Sequence, residues 1–151
     1  INVETAQQMY EVVLGSVANT TIFISVAAVA DWRVANPASQ KIKKSAEFSW
    51  ADLEFVENPD ILASVAKLKN SPYCVGFAAE SDQLDDHATA KKQRKNLPLL
   101  VGNIAQETLG SDDARLVLFD DNGRHPFQRM PKLQAARQLI QAIAQRYHST
   151  L

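Results

Sequence analysis

Residues 21–30 read TIFISVAAVA, an unbroken run of β-branched and small apolar side chains that ends at Asp31. A strand without a polar face must be covered on both sides, which is the condition of a parallel strand inside an α/β sheet. The run therefore predicts a central strand with helices packed above and below it. It falls well short of the roughly 20 apolar residues that a membrane-spanning helix needs, so no membrane partner is expected.

The rest of the chain alternates as such a sheet requires. Thr5 and Gln8 have capping-box spacing, and Met9, Val12 and Val13 give the following turns an apolar face, predicting a peripheral helix over residues 6–14. Residues 31–46 hold Pro37 and the basic cluster Lys41, Lys43 and Lys44, and are expected to form a long mobile loop. Residues 53–57 predict a short strand. Asn58 and Pro59 then combine a capping residue with proline at the first helical position. That helix is expected to reach about residue 69, with Ile61, Leu62, Val65 and Leu68 facing the sheet. A buried strand is expected at 73–77, a helix at 84–95 and another strand at 97–101. Residues 116–119 and 124–127 flank Asp121, Asn122 and Gly123, the turn chemistry of a hairpin. A last helix beginning near Pro131 presents Leu133, Ala136, Ile140, Ile143 and Tyr147 as one stripe. The pattern predicts a single α/β domain over residues 1–151. Its expected form is a Rossmann-like three-layer α/β/α arrangement, the sheet mostly parallel with an antiparallel hairpin near the C-terminus.

Charge and composition narrow the function. Lys plus Arg total 16 against 17 Asp plus Glu, so the net charge of −1 sets up no broad field for nucleic acid or an anionic membrane. Any anion must be met locally. Cys74 is the only cysteine, which excludes an intramolecular disulfide and a cysteine-based zinc site and fits a reducing, cytoplasmic setting. His87, His125 and His148 lack metal-ligand spacing, and no Gly-x-Ser-x-Gly, Gly-x-Gly-x-x-Gly or Walker loop is present.

Ligands of open α/β sheets collect beyond the carboxyl ends of the parallel strands. Asp31 follows the first buried strand, Ala78, Ala79, Glu80 and Ser81 the second, and Gly102 and Asn103 the third. All are expected at one crevice, although strand ends ordinarily turn polar. Lys41 and its neighbours leave the same crevice and could close over a polyphosphate as a lid, against the plainer reading of a solvated run. Lys91 and Lys95 continue the apolar stripe of Leu84 and Ala88, so they point toward the interior of the fold as well as complementing the helix dipole. Asn58, Pro59 and Asp60 start a helix, whose free N–H groups can also bind a ligand oxygen. Pattern alone leads to a Rossmann-like domain with an anionic ligand.

Taken in order, Ala27 to Arg33 (AAVADWR), Lys41 to Lys44 (KIKK), Asn58 to Leu62 (NPDIL) and Gly76 to Glu80 (GFAAE) resemble the bacterial phosphopantothenoylcysteine synthetases. KKQRKN at 91–96 and LLVGN at 99–103 continue the match over nearly the whole chain. The resemblance implies a ligase of coenzyme A biosynthesis. It would join 4'-phosphopantothenate to cysteine through an acyl-cytidylate, cleaving CTP with Mg²⁺ to CMP and pyrophosphate. Carried over by position, it places Ala27, Ala28, Asp31, Asn58, Pro59, Asp60, Ile61, Leu62 and Phe77 around the nucleotide. Lys91 and Lys95 would approach its phosphates, and Lys41 would be the catalytic flap lysine. It names no metal ligand.

The resemblance further implies a homodimer, for which the 115–127 hairpin offers a surface, and fusion to a phosphopantothenoylcysteine decarboxylase, which alone would carry flavin. The family opens with a strand, a glycine-rich turn and a helix that do not precede Ile1. The nucleotide half is therefore expected to be largely present and the pantothenate half incomplete. Two other classes stay open: a non-catalytic nucleotide or phosphate-binding module, and an NAD(P)-dependent oxidoreductase on the same fold.

Overall fold

The computed structural model describes residues 1–38, 40, 53–80, 84–104 and 110–151. Their elements, in chain order, are α1 (Ala6–Ser16), β1 (Ile22–Ile24), β2 (Trp32–Val34), β3 (Phe55–Glu57), α2 (Ile61–Ala66), β4 (Tyr73–Glu80), α3 (Leu84–Lys95) and β5 (Leu99–Ile104). There follow β6 (Asp113–Ala114), β7 (Val117–Asp120), β8 (Gly123–Pro126), β9 (Met130–Pro131) and α4 (Lys132–His148).

The main sheet has the order β1-β4-β5-β7-β8. β1, β4 and β5 are mutually parallel, whereas β7 runs antiparallel to β5 and forms the expected hairpin with β8. At its turn Gly123 takes φ +111°, a region that side chains with a Cβ rarely enter. Successive side chains point to opposite faces. Leu62, Val65, Ala88 and Leu97 accordingly pack on Cys74, Ala78, Leu100 and Phe119. On the other face Ala135, Leu139 and Ile143 of α4 cover Val75, Leu99, Val101 and Leu118. The result is the predicted three-layer Rossmann-like fold, mixed in the described sheet.

Four expectations are corrected in detail. The apolar run at 21–30 is not the central strand. Only Ile22–Ile24 pairs, at one edge of the five-stranded sheet, and β5 holds the middle. The run is apolar past Ile24 because it lines a cleft described below, not because it is sandwiched. Trp32–Val34, within the expected loop, is a strand paired antiparallel with β3; the remainder of the basic segment, 41–46, lies outside the described residues.

The cap of α2 is Asp60, whose side chain accepts the Ala63 N–H at 3.0 Å, and the helix ends at Ala66, leaving Leu68 exposed. Asn58 is engaged elsewhere. Finally, Leu133 and Ile140 of α4 are 66% and 54% exposed, and the buried stripe is Ala135, Leu139 and Ile143. The helix is anchored by Arg146, whose Nε donates to Asp120 Oδ2 at 2.8 Å, and by an edge-on contact of Tyr147 with Tyr73. The capping box of α1 forms as expected, with Gln8 N–H donating to Thr5 Oγ1 and the Gln8 side chain accepting in return.

Asp120, its side chain 9% exposed, ties α4 to the hairpin. Burial pushes its carboxyl pKa up. Hydrogen bonds from His125, Arg146 and the Asn122 N–H outweigh that and leave it below the ordinary value. A depressed carboxylate contributes stability at neutral pH that is lost as pH falls through its folded pKa. Asp120→Asn is expected to cost about 2 kcal/mol at pH 7, on the scale of hydrogen bonds to charged groups. In urea denaturation the gap between the two proteins should narrow below about pH 4, and a gap independent of pH would refute the assignment.

Candidate functional site

The β1–β4 ladder stops early. Tyr73 N–H donates to Thr21 O at 3.0 Å and Ser25 N–H to Val75 O at 2.9 Å, the last registered pair is Ile24 with Val75, and β4 continues to Glu80. Main-chain groups of alternate residues face the same neighbour in a parallel sheet. Those of Phe77 and Ala79 therefore front the side that β1 has left, where no described strand pairs with them. Residues 25–31 swing away from this edge, and the space opened is a cleft of about 700 Å³.

Its walls come from three sources. Residues 25–31 form one side; Asn58, Pro59, Asp60, Ile61 and Leu62 form the second; Phe77, Ala79 and Asn103 of β4 and β5, with Lys91 and Lys95 of α3, complete it. The structure thus brings together every candidate carried over by resemblance except Lys41. Of the strand-tip residues, Asp31, Ala79 and Asn103 line the cleft, whereas Ala78 packs in the core and Gly102 against Leu84 and Phe119. Lys41, Ser81 and the side chain of Glu80 lie outside the described residues. Ser25, Val26, Val29 and Ala30 also line the cleft, as do Ala79 and Asn103. The last two are strand-tip residues already expected at the crevice, whereas the first four read in the sequence as buried strand.

Close packing explains why the lysines arrive there. A Cβ on Gly76 would lie 2.8 Å from Leu62 Cδ2 and 2.9 Å from Leu97 Cδ1. Absence of that atom lets the start of α2 and the end of α3 meet over β4. Lys95 Nζ then reaches Asp60, 2.9 Å from Oδ1 and 2.8 Å from Oδ2, with the lysine side chain only 14% exposed. Burial raises the Asp60 pKa, but the Lys95 and Ala63 N–H hydrogen bonds, with the charges of Lys95 and Arg94, bring it below the ordinary carboxylate value. One N–H of the helix start expected to meet a ligand oxygen, that of Ala63, is taken by the Asp60 carboxylate itself. Asp60 holds a cation at the cleft.

The opposite wall is fixed by Asn58. Its N–H donates to Asp31 O and its Nδ2 to Ala30 O, each at 2.8 Å. An anionic ligand would meet two ammonium groups, an aromatic ring, small apolar side chains and main-chain donors and acceptors in one enclosure. Two smaller hollows differ in character. One of about 380 Å³ is lined by the Arg124–Asp85 ion pair with Asp86 and Arg115. The other, of about 470 Å³ near the start of β4, is lined by Tyr73, Tyr147 and Thr residues. Among the described residues no group of three metal-ligating side chains occurs, and no helix is long and apolar enough to cross a membrane.

Comparison with known proteins identifies the family and the fold. A coenzyme A biosynthesis bifunctional protein CoaBC of Haemophilus influenzae is 40% identical over 154 residues, covering 100% of this chain and 38% of its own length. The CoaBC of Escherichia coli K12 is 41% identical over 152 residues, covering 97% of the chain and 37% of the relative. The chain therefore spans less than two fifths of these relatives. A crystal structure of a CoaBC C-terminal domain superposes with a TM-score of 0.72 at 26% identity, over 95% of this chain and 63% of that one. Residues 1–147 match the DNA/pantothenate metabolism flavoprotein C-terminal domain, and the chain belongs to that family.

Proposed function

We propose that the cleft binds a nucleoside triphosphate and that the chain supplies the nucleotide half of a phosphopantothenate–cysteine ligase in coenzyme A biosynthesis. One observation carries the reading: Ala27, Ala28, Asp31, Asn58, Pro59, Asp60, Ile61, Leu62, Phe77, Lys91 and Lys95 surround a single hollow of about 700 Å³. In that arrangement the open edge of β4 suits the hydrogen-bonding rim of a base. The small side chains of 27–30 allow a ring or ribose to lie close. Lys91 and Lys95 supply positive charge where the phosphates lie and where charge builds as they leave.

CTP is the proposed nucleotide, from the family resemblance, with Mg²⁺ arriving on its triphosphate. Mg²⁺ commonly takes most of its ligands from substrate phosphates and water, and one or two from carboxylates. Asp31 stands in the cleft for such a role, whereas Asp60 is already paired with Lys95. In the proposed reaction the phosphopantothenate carboxylate attacks the α-phosphorus and pyrophosphate departs. The cysteine amine then attacks the acyl carbon of the cytidylate, expels CMP and loses a proton, leaving an amide. Activation is needed because a free carboxylate offers only oxide as a leaving group. Cytoplasmic location, a dimeric ligase and fusion to the flavin-bearing decarboxylase belong to the same proposal.

The test is cysteine-dependent product formation by the full-length ligase with CTP or ATP, followed by pyrophosphate release. CTP is expected to be preferred. Lys41→Ala is expected to lose more in turnover than in CTP affinity; unchanged turnover would remove Lys41 from the mechanism. Nucleotide binding without pyrophosphate release under any condition would favour a sensor instead.

A further inference from the structure

Arg33 does not line the cleft, yet it governs a wall that does. It lies on β2, and its Nη1 donates to Glu57 O at 2.6 Å and to Asn58 Oδ1 at 3.2 Å. A guanidinium only donates, and a carboxamide has one accepting and one donating end. With Oδ1 turned to Arg33, Nδ2 must face the other way, and there it donates to Ala30 O at 2.8 Å. The main chain of Asn58 holds the adjoining carbonyl of Asp31. Residues 25–31 are consequently pinned at both ends, by Ser25 on Val75 and by Asn58 on Ala30 and Asp31. Without Arg33 only the Nδ2 bond to Ala30 O orients the amide, and an inverted amide would set Oδ1 against the Ala30 carbonyl.

We propose that Arg33 is a positioning residue of the nucleotide cleft, acting through the orientation of the Asn58 amide to preorganise the 25–31 wall. This rests on the nucleotide reading above. A wall set before binding spares the ligand the cost of ordering it. Removing the brace should therefore weaken nucleotide binding more than it slows chemistry in the filled site.

The experiment compares the full-length ligase with Arg33→Ala, Asn58→Ala and the double variant. Arg33→Ala is expected to raise the Kd and KM for CTP with Mg²⁺ about tenfold, the scale of one charge-assisted hydrogen bond, with a much smaller change in kcat. In the Asn58→Ala background the same change should have no further effect, because the residue it acts through is gone. Without nucleotide, hydrogen exchange at the Asn58 amide should quicken in Arg33→Ala. Equal losses in both backgrounds, or unchanged exchange, would overturn the brace. Faster exchange in a protein whose unaltered form binds no CTP would leave the brace standing and sink the nucleotide reading alone.

Discussion

Replacing Lys91 and Lys95 together by Ala is expected to weaken CTP binding about a hundredfold, if each ammonium contributes about one charge-assisted hydrogen bond to phosphate. Both side chains line the cleft, and Lys95 is held there by Asp60. Lys95→Ala also deprives Asp60 of its cation and leaves a carboxylate facing the phosphates. Lys95→Ala with Asp60→Asn should recover part of the affinity. Isothermal titration with CTP and Mg²⁺ reads all of these variants, and the losses should shrink as salt is raised, because partly exposed charges are screened. A double variant that binds as well as the unaltered protein would detach these lysines from the site.

The second large effect concerns Gly76. Gly76→Val would place carbon atoms against Leu62 and Leu97, and against Leu100, whose Cδ1 lies 3.1 Å from the position of a Cβ. Overpacking of this kind costs about 1–3 kcal/mol, because the ends of Leu62 and Leu97 must turn aside and the start of α2 and the end of α3 repack on β4. That repacking disturbs the Asp60–Lys95 pair. The variant is thus expected to lower the melting temperature and to lose CTP affinity beyond what instability explains, measured at a temperature where it remains folded. Gly110→Ala is the contrasting change. A Cβ on Gly110 would meet no atom within 4 Å, but the residue takes φ +72°, so the cost should be local strain with no loss of affinity.

Much of the fold is legible because its elements are periodic and its termini chemically marked. The capping box at Thr5 and Gln8, the stripe through Leu84 and Ala88, and the Asp-Asn-Gly turn each specify structure within a few residues. The departures fall where local sequence leaves a choice open. Residues 25–30 look like strand whether or not they stay in the sheet, and only the early end of pairing at Val75 shows that they leave it. α4 carries apolar residues around much of its circumference, so two stripes sharing Ile143 fit its period equally. The choice is made by Asp120 and Tyr73 far away in sequence, which hold Arg146 and Tyr147. Asn58 and Asp60 both suit a helix cap, but Asn58 is claimed by Ala30 across 28 positions. The site candidates come from short motifs at resembling positions, whereas the part played by Arg33 cannot be found this way, because it depends on the amide it turns.

The most direct test of the cleft is a titration with CTP and Mg²⁺ followed through assigned backbone amide resonances. Ala27, Ala28, Phe77, Ala79, Lys91 and Lys95 should shift together and saturate at one common Kd. Shifts confined to the groove around Tyr73 and Tyr147, or none at millimolar CTP, would contradict the assignment of this cleft as the nucleotide site.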